Sequence, residues 1–313
     1  MEGESMASFQ TWAKALRLPF LTATIVPVFL GTAIAWYEVG AFDWILFLLT
    51  LIGVAFIHLA TNTANDYWDH VSGNDTINKR PTKFSGGSRV IQDKLLKPEQ
   101  VRNAAFFFLI IGIGIGALLY WMTKNMLLIW FGAAGAVIGF FYTAPPLRLG
   151  YRGIGELLTF IGFGPLAVVG TYAVQTGMLS TVALAASVPV GVLIALVLLI
   201  NEVPDEEADA KVRKNTLVVI LGKREAISLY HFFLIAAYLF VMAGILMGSI
   251  PMYGVLVLLT LPMAVKAYNA STEYVHDKRQ DVRKLMPANG MTIALHLAMG
   301  MLLSASYVLA SFI

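Results

Sequence analysis

The sequence predicts an all-α integral membrane protein with about nine transmembrane helices. Three observations carry that prediction. Apolar residues make up 58% of the 313 positions and charged residues only 13%, with a mean hydropathy of +0.73, outside the balance of a water-soluble domain. Nine apolar runs, at 19–37, 44–65, 101–122, 126–142, 154–174, 179–201, 226–247, 252–270 and 291–313, mostly approach the ~20 residues that cross a hydrocarbon core. The basic residues are segregated: if nine helices alternate in direction, every Lys and Arg except Lys124 falls on one side. That side is therefore expected to be cytoplasmic and to hold the N-terminus.

Residues 1–18 are expected to form an N-terminal interfacial segment, with Phe9, Trp12, Ala13 and Leu16 near one face and Lys14 and Arg17 off it. They contain no basic stretch followed by a cleavage site, so no removable signal peptide is expected. Residues 19–313 then form a single transmembrane domain. Its loops at 66–100, 143–153, 202–225 and 271–290 are polar, whereas the opposite loops are short. Chemistry is expected on the polar face, where a central cavity would open. A net charge of +3 is too small to suggest a nucleic-acid partner, and the absence of cysteine excludes disulfides and thiolate metal sites.

The densest polar stretch follows the second span. Helical spacing places Asn62, Asn65, Asp66 and Asp69 within an arc of roughly 100°, and Asp75 follows Gly73, past the expected end of that helix. Ionisable groups at the edge of a membrane bundle are costly and usually functional. Carboxylates without His or Cys suit a hard cation such as Mg²⁺, which takes one or two carboxylates and shares the rest of its shell with phosphates and water. A solvated acidic helix end paired with Arg80 and Lys83 is the bland alternative. After the sixth span the pattern recurs as Asn201, Asp205 and Asp209, where Pro204 should break the helix and re-aim Asp205. Glu202, Glu206 and Glu207 are expected to be solvated. The shared Asn-x-x-x-Asp opening, 139 positions apart, suggests two four-helix units plus a ninth helix, with both clusters at one mouth as a two-metal diphosphate clamp.

A leaving diphosphate also needs cations. Arg80, Lys83 and Arg89 near the first cluster, Lys211, Arg213 and Lys214 after the second, and Arg148 between them are the candidates. The Gly86-Gly87-Ser88 turn could present backbone N–H groups to a phosphate or to an acceptor carboxylate. The run Gly112 to Gly116, with glycine at every second position, reads as close helix packing inside a lipid-spanning segment. A transporter would share the repeats and buried polar residues, but here the acids sit at one membrane face. The Asp-Gly…Ala-Arg signature expected of a CDP-alcohol phosphotransferase is absent.

Taken together, Asn62…Asn65-Asp66-x-x-Asp69…Asp75, then Tyr142-Thr-Ala-Pro-Pro146, then Asn201-x-x-x-Asp205-x-x-x-Asp209 ending in Lys214-Asn215-Thr216-Leu217, resemble the UbiA superfamily of intramembrane prenyltransferases. FSGGSRVIQ and YTAPPLRLGYRGIGEL look most like its menaquinone branch, the 1,4-dihydroxy-2-naphthoate polyprenyltransferases. The chain departs from that pattern where Arg213-Lys214-Asn215 replaces the usual Gly-Lys and where the surroundings of Asn201 are more acidic. The resemblance implies Mg²⁺-assisted transfer, with two ions, of a polyprenyl group from its diphosphate to an aromatic acceptor. That acceptor would be dihydroxynaphthoate or, alternatively, 4-hydroxybenzoate, homogentisate or a glyceryl phosphate ether. It implies metal binding by Asp66, Asp69, Asp75, Asp205 and Asp209, and catalytic roles for Tyr142 and Lys214. Asn62, Asn65, Arg80, Lys83, Ser88, Arg89, Arg148 and Asn201 would contact substrate, and Tyr67, Tyr142 and Tyr151 are candidates to face an allylic cation.

Overall fold

The computed structural model describes residues 8–312, so the part of the expected interfacial segment at 1–7 lies outside the described residues. Each of the nine apolar runs contains helix, and no strand occurs among the described residues. Helix α1 (Phe9–Ala15) opens with the Ser8 hydroxyl accepting the Thr11 N–H. Its Ala15 and Trp12 pack against Val90, Ile91 and Leu96 of the first polar loop and Val101 at the start of the helix that follows it, and Lys14 pairs with Asp93. Arg17, in the left-handed region at φ 50°, turns the chain through a 3₁₀ turn (Leu18–Leu21) into α2 (Thr22–Val39).

Helix α3 (Trp44–Ser72) starts where the Asp43 carboxylate accepts the Ile45 and Leu46 N–H groups and stops at Gly73, whose φ of 81° supplies the left-handed cap. The short α4 (Asn74–Ile77) follows, then the polar loop, then α5 (Pro98–Thr123). Eight helical segments are long and apolar enough to span a membrane. The fourth apolar run is the exception, since α6 (Leu127–Phe140) has 14 residues, about 21 Å, and ends ahead of Pro145 and Pro146. The fifth span joins α7 (Gly155–Ile161) to α8 (Ala167–Thr176) through a π-helical segment (Gly162–Leu166) containing Pro165. Helix α9 (Thr181–Glu202) breaks at Pro204 into a 3₁₀ turn (Val203–Asp205) and then α10 (Glu206–Lys211), as the proline predicts. Helices α11 (Leu217–Leu221), α12 (Lys223–Leu246), α13 (Leu261–His276, entered by a 3₁₀ stretch at Met252–Thr260) and α14 (Val282–Ala310) complete the chain.

The main apolar core joins α2, α8, α9, α12, α13 and α14. Helix α9 is the most buried span and α5 the least; Phe107, Ile110 and Ile113 of α5 face outward, as side chains in contact with lipid tails do. Exposed Trp36, Trp44, Trp121 and Trp130 gather near the ends of the spans opposite the polar loops, where amphipathic rings suit a membrane boundary. Helices α3, α5 and α6 pack on one another, and between them and the main core lies a cavity. Gly112 and Gly116 both line the cavity, but a Cβ at Gly112 would meet Ile57 at 2.7 Å, which is close helix packing, whereas one at Gly116 would meet nothing within 4 Å.

Candidate active site

The first acidic cluster hangs from the last two turns of α3 and from α4. Asp66, Asp69 and Asp75 are 2%, 6% and 3% exposed, so the reading of a solvated helix end does not hold. Nor are their partners Arg80 and Lys83. The Arg17 guanidinium pairs with Asp66 Oδ1, which also accepts the Ser88 N–H at 3.1 Å. Asp69 accepts the Tyr151 hydroxyl at 2.7 Å on one oxygen and the Lys214 ammonium at 2.9 Å on the other. Asp75 sits under the glycine turn: a Cβ at Gly87, whose φ is +74°, would lie 2.5 Å from Asp75 Oδ2. Arg89 donates to the Asp75 carbonyl rather than to any carboxylate.

The second cluster reaches the same place because the break at Pro204 turns α10 back over α4. Asp205 accepts the Asn78 side-chain amide at 2.8 Å and the Gly86 N–H at 2.9 Å. Asp209 accepts the Asn74 amide at 2.8 Å, with Lys214 Nζ 3.7 Å away. The clusters are thus interlaced, each holding the other's carboxylates.

This donor set fits Mg²⁺. Asp66 Oδ2, Asp209 Oδ2, Asn65 Oδ1 and Asn74 Oδ1 are buried oxygens with no hydrogen-bond partner, the hard ligands that cation prefers. Among the described residues no three His, Cys, Asp or Glu converge into a closed metal cage, which suits an ion that completes its shell with phosphate and water. Burial, reinforced by the charges of Asp69 and Asp66, pushes the Asp75 carboxyl up to about 8. Burial opposes the charge on Lys214, but Asp209 and Asp69 together hold its ammonium well above the usual lysine range.

The cavity, about 360 Å³, runs from Asp69, Asp75, Asp205, Asp209 and Lys214 at its polar mouth to Leu119, Leu128 and Val174 at its apolar floor. From Asp69 to Thr50, both of which line it, α3 rises through nineteen residues, about 28 Å. Asn62, Asn65, Tyr142 and Asn201 stand on the wall between. Asn201 Oδ1 accepts the Asn289 amide at 2.7 Å, and His58, hydrogen-bonded to Thr24 at 2.9 Å, also lines the wall. The Tyr142 hydroxyl is buried without a partner.

Other residues singled out in the sequence stand apart. Tyr67 packs beside Trp12 in the cluster under α1, with Arg102 6.0 Å from its ring, away from the cavity. Arg80 is half exposed and pairs with Glu207 at 3.4 Å. Lys83 and Arg148 are exposed, Arg148 lying over the Tyr151 ring at 5.7 Å. Tyr151 touches the site only through Asp69 and Lys214. The expectation that Glu202 is solvated is wrong: it is 7% exposed on the cavity wall beside Glu156, because the turn at Val203–Asp205 keeps α9 inside the bundle to its last residue. Sequence reasoning passed over Arg17, Asn74, Asn78 and Glu156 as site residues. Asn74 and Asn78 repeat the four-residue spacing of the acids, a signal that was available.

Residues 24–295 match the model of the UbiA prenyltransferase family. The chain is 34% identical over 84% of its length, and 86% of the relative's, to a 1,4-dihydroxy-2-naphthoate octaprenyltransferase of Mycobacterium tuberculosis. It is 28% identical over 96% of its length, and 94% of the relative's, to a 2-carboxy-1,4-naphthoquinone phytyltransferase of Synechocystis. Its fold is similar to that of a UbiA homologue from Archaeoglobus fulgidus bound to DMAPP and Mg²⁺, with a TM-score of 0.62 and 16% identity, over 94% of this chain and 99% of that one.

Proposed function

This chain belongs to the UbiA prenyltransferase family, and from that premise we propose that it is a Mg²⁺-dependent enzyme that moves a polyprenyl group from its diphosphate to 1,4-dihydroxy-2-naphthoate, as in menaquinone biosynthesis. The family assignment decides between transferase and transporter in favour of the transferase. The observation that carries the reading is the interlaced pair of acid clusters at the mouth of a long apolar cavity. Support for the acceptor comes from the Mycobacterium tuberculosis relative, and support for the metal and the diphosphate from the Archaeoglobus homologue. The excess of basic residues in the loops at the mouth of the cavity supports a site on the cytoplasmic side of the cell membrane.

Two Mg²⁺ ions, when bound, would be held by Asp66, Asp69 and Asp75 on one side and Asp205 and Asp209 on the other, and would make the diphosphate a better leaving group. Lys214, whose ammonium is fixed by Asp69, adds a positive charge where the leaving oxygen develops a negative one. Asn62, Asn65 and Asn201 orient the diphosphate end, Arg17 is placed to follow it from Asp66, and the apolar wall excludes water from the allylic carbon. The Tyr142 ring offers that carbon an electron-rich face. The bond from the prenyl C1 to the diphosphate oxygen breaks, the acceptor ring carbon bonds to C1, and the ring then loses its carboxyl group as carbon dioxide.

The test is to incubate the purified protein with Mg²⁺, prenyl diphosphates of several lengths and a panel of dihydroxynaphthoate, hydroxybenzoate, homogentisate and a glyceryl phosphate ether, identifying products by mass. A decarboxylated prenyl naphthoquinol is the expected product. A product from another acceptor alone would reassign the substrate, and none from any acceptor would overturn the reading.

A further inference from the structure

The cavity wall carries one carboxyl that the metal clamp does not use, Glu202, backed by a second buried one, Glu156. Glu202, the last residue of α9, and Glu156, in the first turn of α7, come from segments 46 positions apart. They are 7% and 6% exposed and lie within hydrogen-bonding reach of each other. Neither has a basic partner within salt-bridge distance, and both oxygens of Glu156 and Oε2 of Glu202 are buried without a hydrogen bond. Carboxylates accept but do not donate, so two of them bond only through a proton held by one. Glu156 stands behind the wall, whereas Glu202 lines the cavity. The other charged or titratable neighbours of Glu202 are Tyr142, Asp209 and Lys214. Tyr142 is positioned by α7: a Cβ on Gly155 would stand 2.5 Å from its hydroxyl.

Burying two acids together without a cation is costly, and a scaffold with no use for them would place apolar side chains there. The position of the pair is informative. Glu202 lines the same cavity as Tyr142 and the carboxylates proposed to face the diphosphate.

We propose that Glu202 is the proton acceptor for the hydroxyl of the aromatic acceptor, and that Glu156 is its positioning partner, taking the proton that the pair shares. The acceptor O–H bond breaks and its proton joins a free Glu202 oxygen, while the proton between the two carboxyls moves to Glu156. The electron pair left on the acceptor oxygen flows into the ring, whose carbon bonds to the prenyl C1 as the C1–O bond to the diphosphate breaks. Loss of the carboxyl group as carbon dioxide then leaves its electron pair on the ring oxygen, which takes the extra proton back from the carboxyl pair as the quinol forms.

This inference rests on the proposed transferase reading, and one experiment separates the two. Wild type, Glu202→Gln and Glu156→Gln are assayed with dihydroxynaphthoate and with a fluorinated analogue whose hydroxyl is already ionised at the assay pH, and binding of an unreactive prenyl thiodiphosphate with Mg²⁺ is measured in each. Glu202→Gln is expected to lower kcat with the ordinary acceptor by about 10²–10³-fold, to stay within about tenfold of wild type with the ionised one, and to bind the thiodiphosphate as wild type does. Glu156→Gln should show a smaller loss with the same dependence on acceptor, and it decides the matter should Glu202→Gln fail to fold. Equal losses on both acceptors, undiminished turnover of the ordinary one, or lost thiodiphosphate binding in both variants would overturn the assignment. A wild type inactive on every acceptor would instead sink the transferase reading.

Discussion

The two acidic clusters share an Asn-x-x-x-Asp opening but are held by opposite chemistry. The first is held by cations, Arg17 on Asp66 and Lys214 on Asp69. The second is held mainly by neutral donors, the amides of Asn74 and Asn78 and the Gly86 N–H. In both cases most of the donors come from the other half of the site or from the N-terminal turn. A carboxylate held by an amide keeps its full charge for a metal, whereas one paired with a guanidinium or ammonium is already partly neutralised. The first cluster therefore depends on charges carried by Arg17 and Lys214, and the second on neutral groups between Asn74 and Gly86.

The largest effect should come from removing one acid on each side. Asp69→Ala and Asp205→Ala are each expected to lower Mg²⁺-dependent diphosphate release by 10³-fold or more, at the upper end of losses seen when one electrostatic element of an active site is removed. If either variant keeps wild-type activity in a product assay, the two-sided clamp is broken. Next, Lys214→Met leaves Asp69 and Asp209 facing each other without a cation. Loss of one partner of a buried pair costs about 3–5 kcal/mol, and thermal unfolding in detergent should show that loss, partly restored by Mg²⁺. A melting temperature indifferent to Mg²⁺ would show that Lys214 does not stand where metal charge acts.

Smaller changes sharpen the comparison. Asn74→Ala removes the amide that orients Asp209 and should weaken Mg²⁺ binding about 10–100-fold, as loss of an outer partner of a metal ligand does; titration calorimetry with the unreactive diphosphate would measure it. Tyr151→Phe removes one neutral donor from Asp69, worth about 1 kcal/mol, so turnover should change by less than tenfold. The smallest effect is expected for Arg80→Ala. Its partner Glu207 is an exposed residue, and such a pair contributes about 0–1 kcal/mol, so kcat/KM should shift by no more than about twofold. A large loss would place Arg80 on the diphosphate after all.

How far the site was legible follows from where its partners lie in the chain. The acids on α3 declared themselves through one helical stripe, and Pro204 announced the break that re-aims Asp205. The pairings did not, because Arg17 reaches Asp66 across 49 positions and Lys214 reaches Asp69 across 145. Nearby basic residues were the natural guess for the counter-charges. Yet Arg80 and Lys83 sit in a loop that water reaches, where a charge is stable without a partner, while a buried acid must recruit whichever cation or amide the fold brings to it. Glu202 was misread for the same reason. Three glutamates near a helix end look solvated, and only the turn after α9 distinguishes the buried one.

What the sequence determined by itself was the all-helical membrane bundle, since lipid requires long apolar runs with internally satisfied backbones. It also determined that two acid clusters exist. The tertiary structure alone decided that α6 is short, that Tyr67 faces away from the cavity, that the two clusters hold one another, and that Glu156 meets Glu202. Those are contacts between segments distant in the chain, set by how helices pack around a cavity, and periodicity along one helix carries no information about which neighbour it will meet.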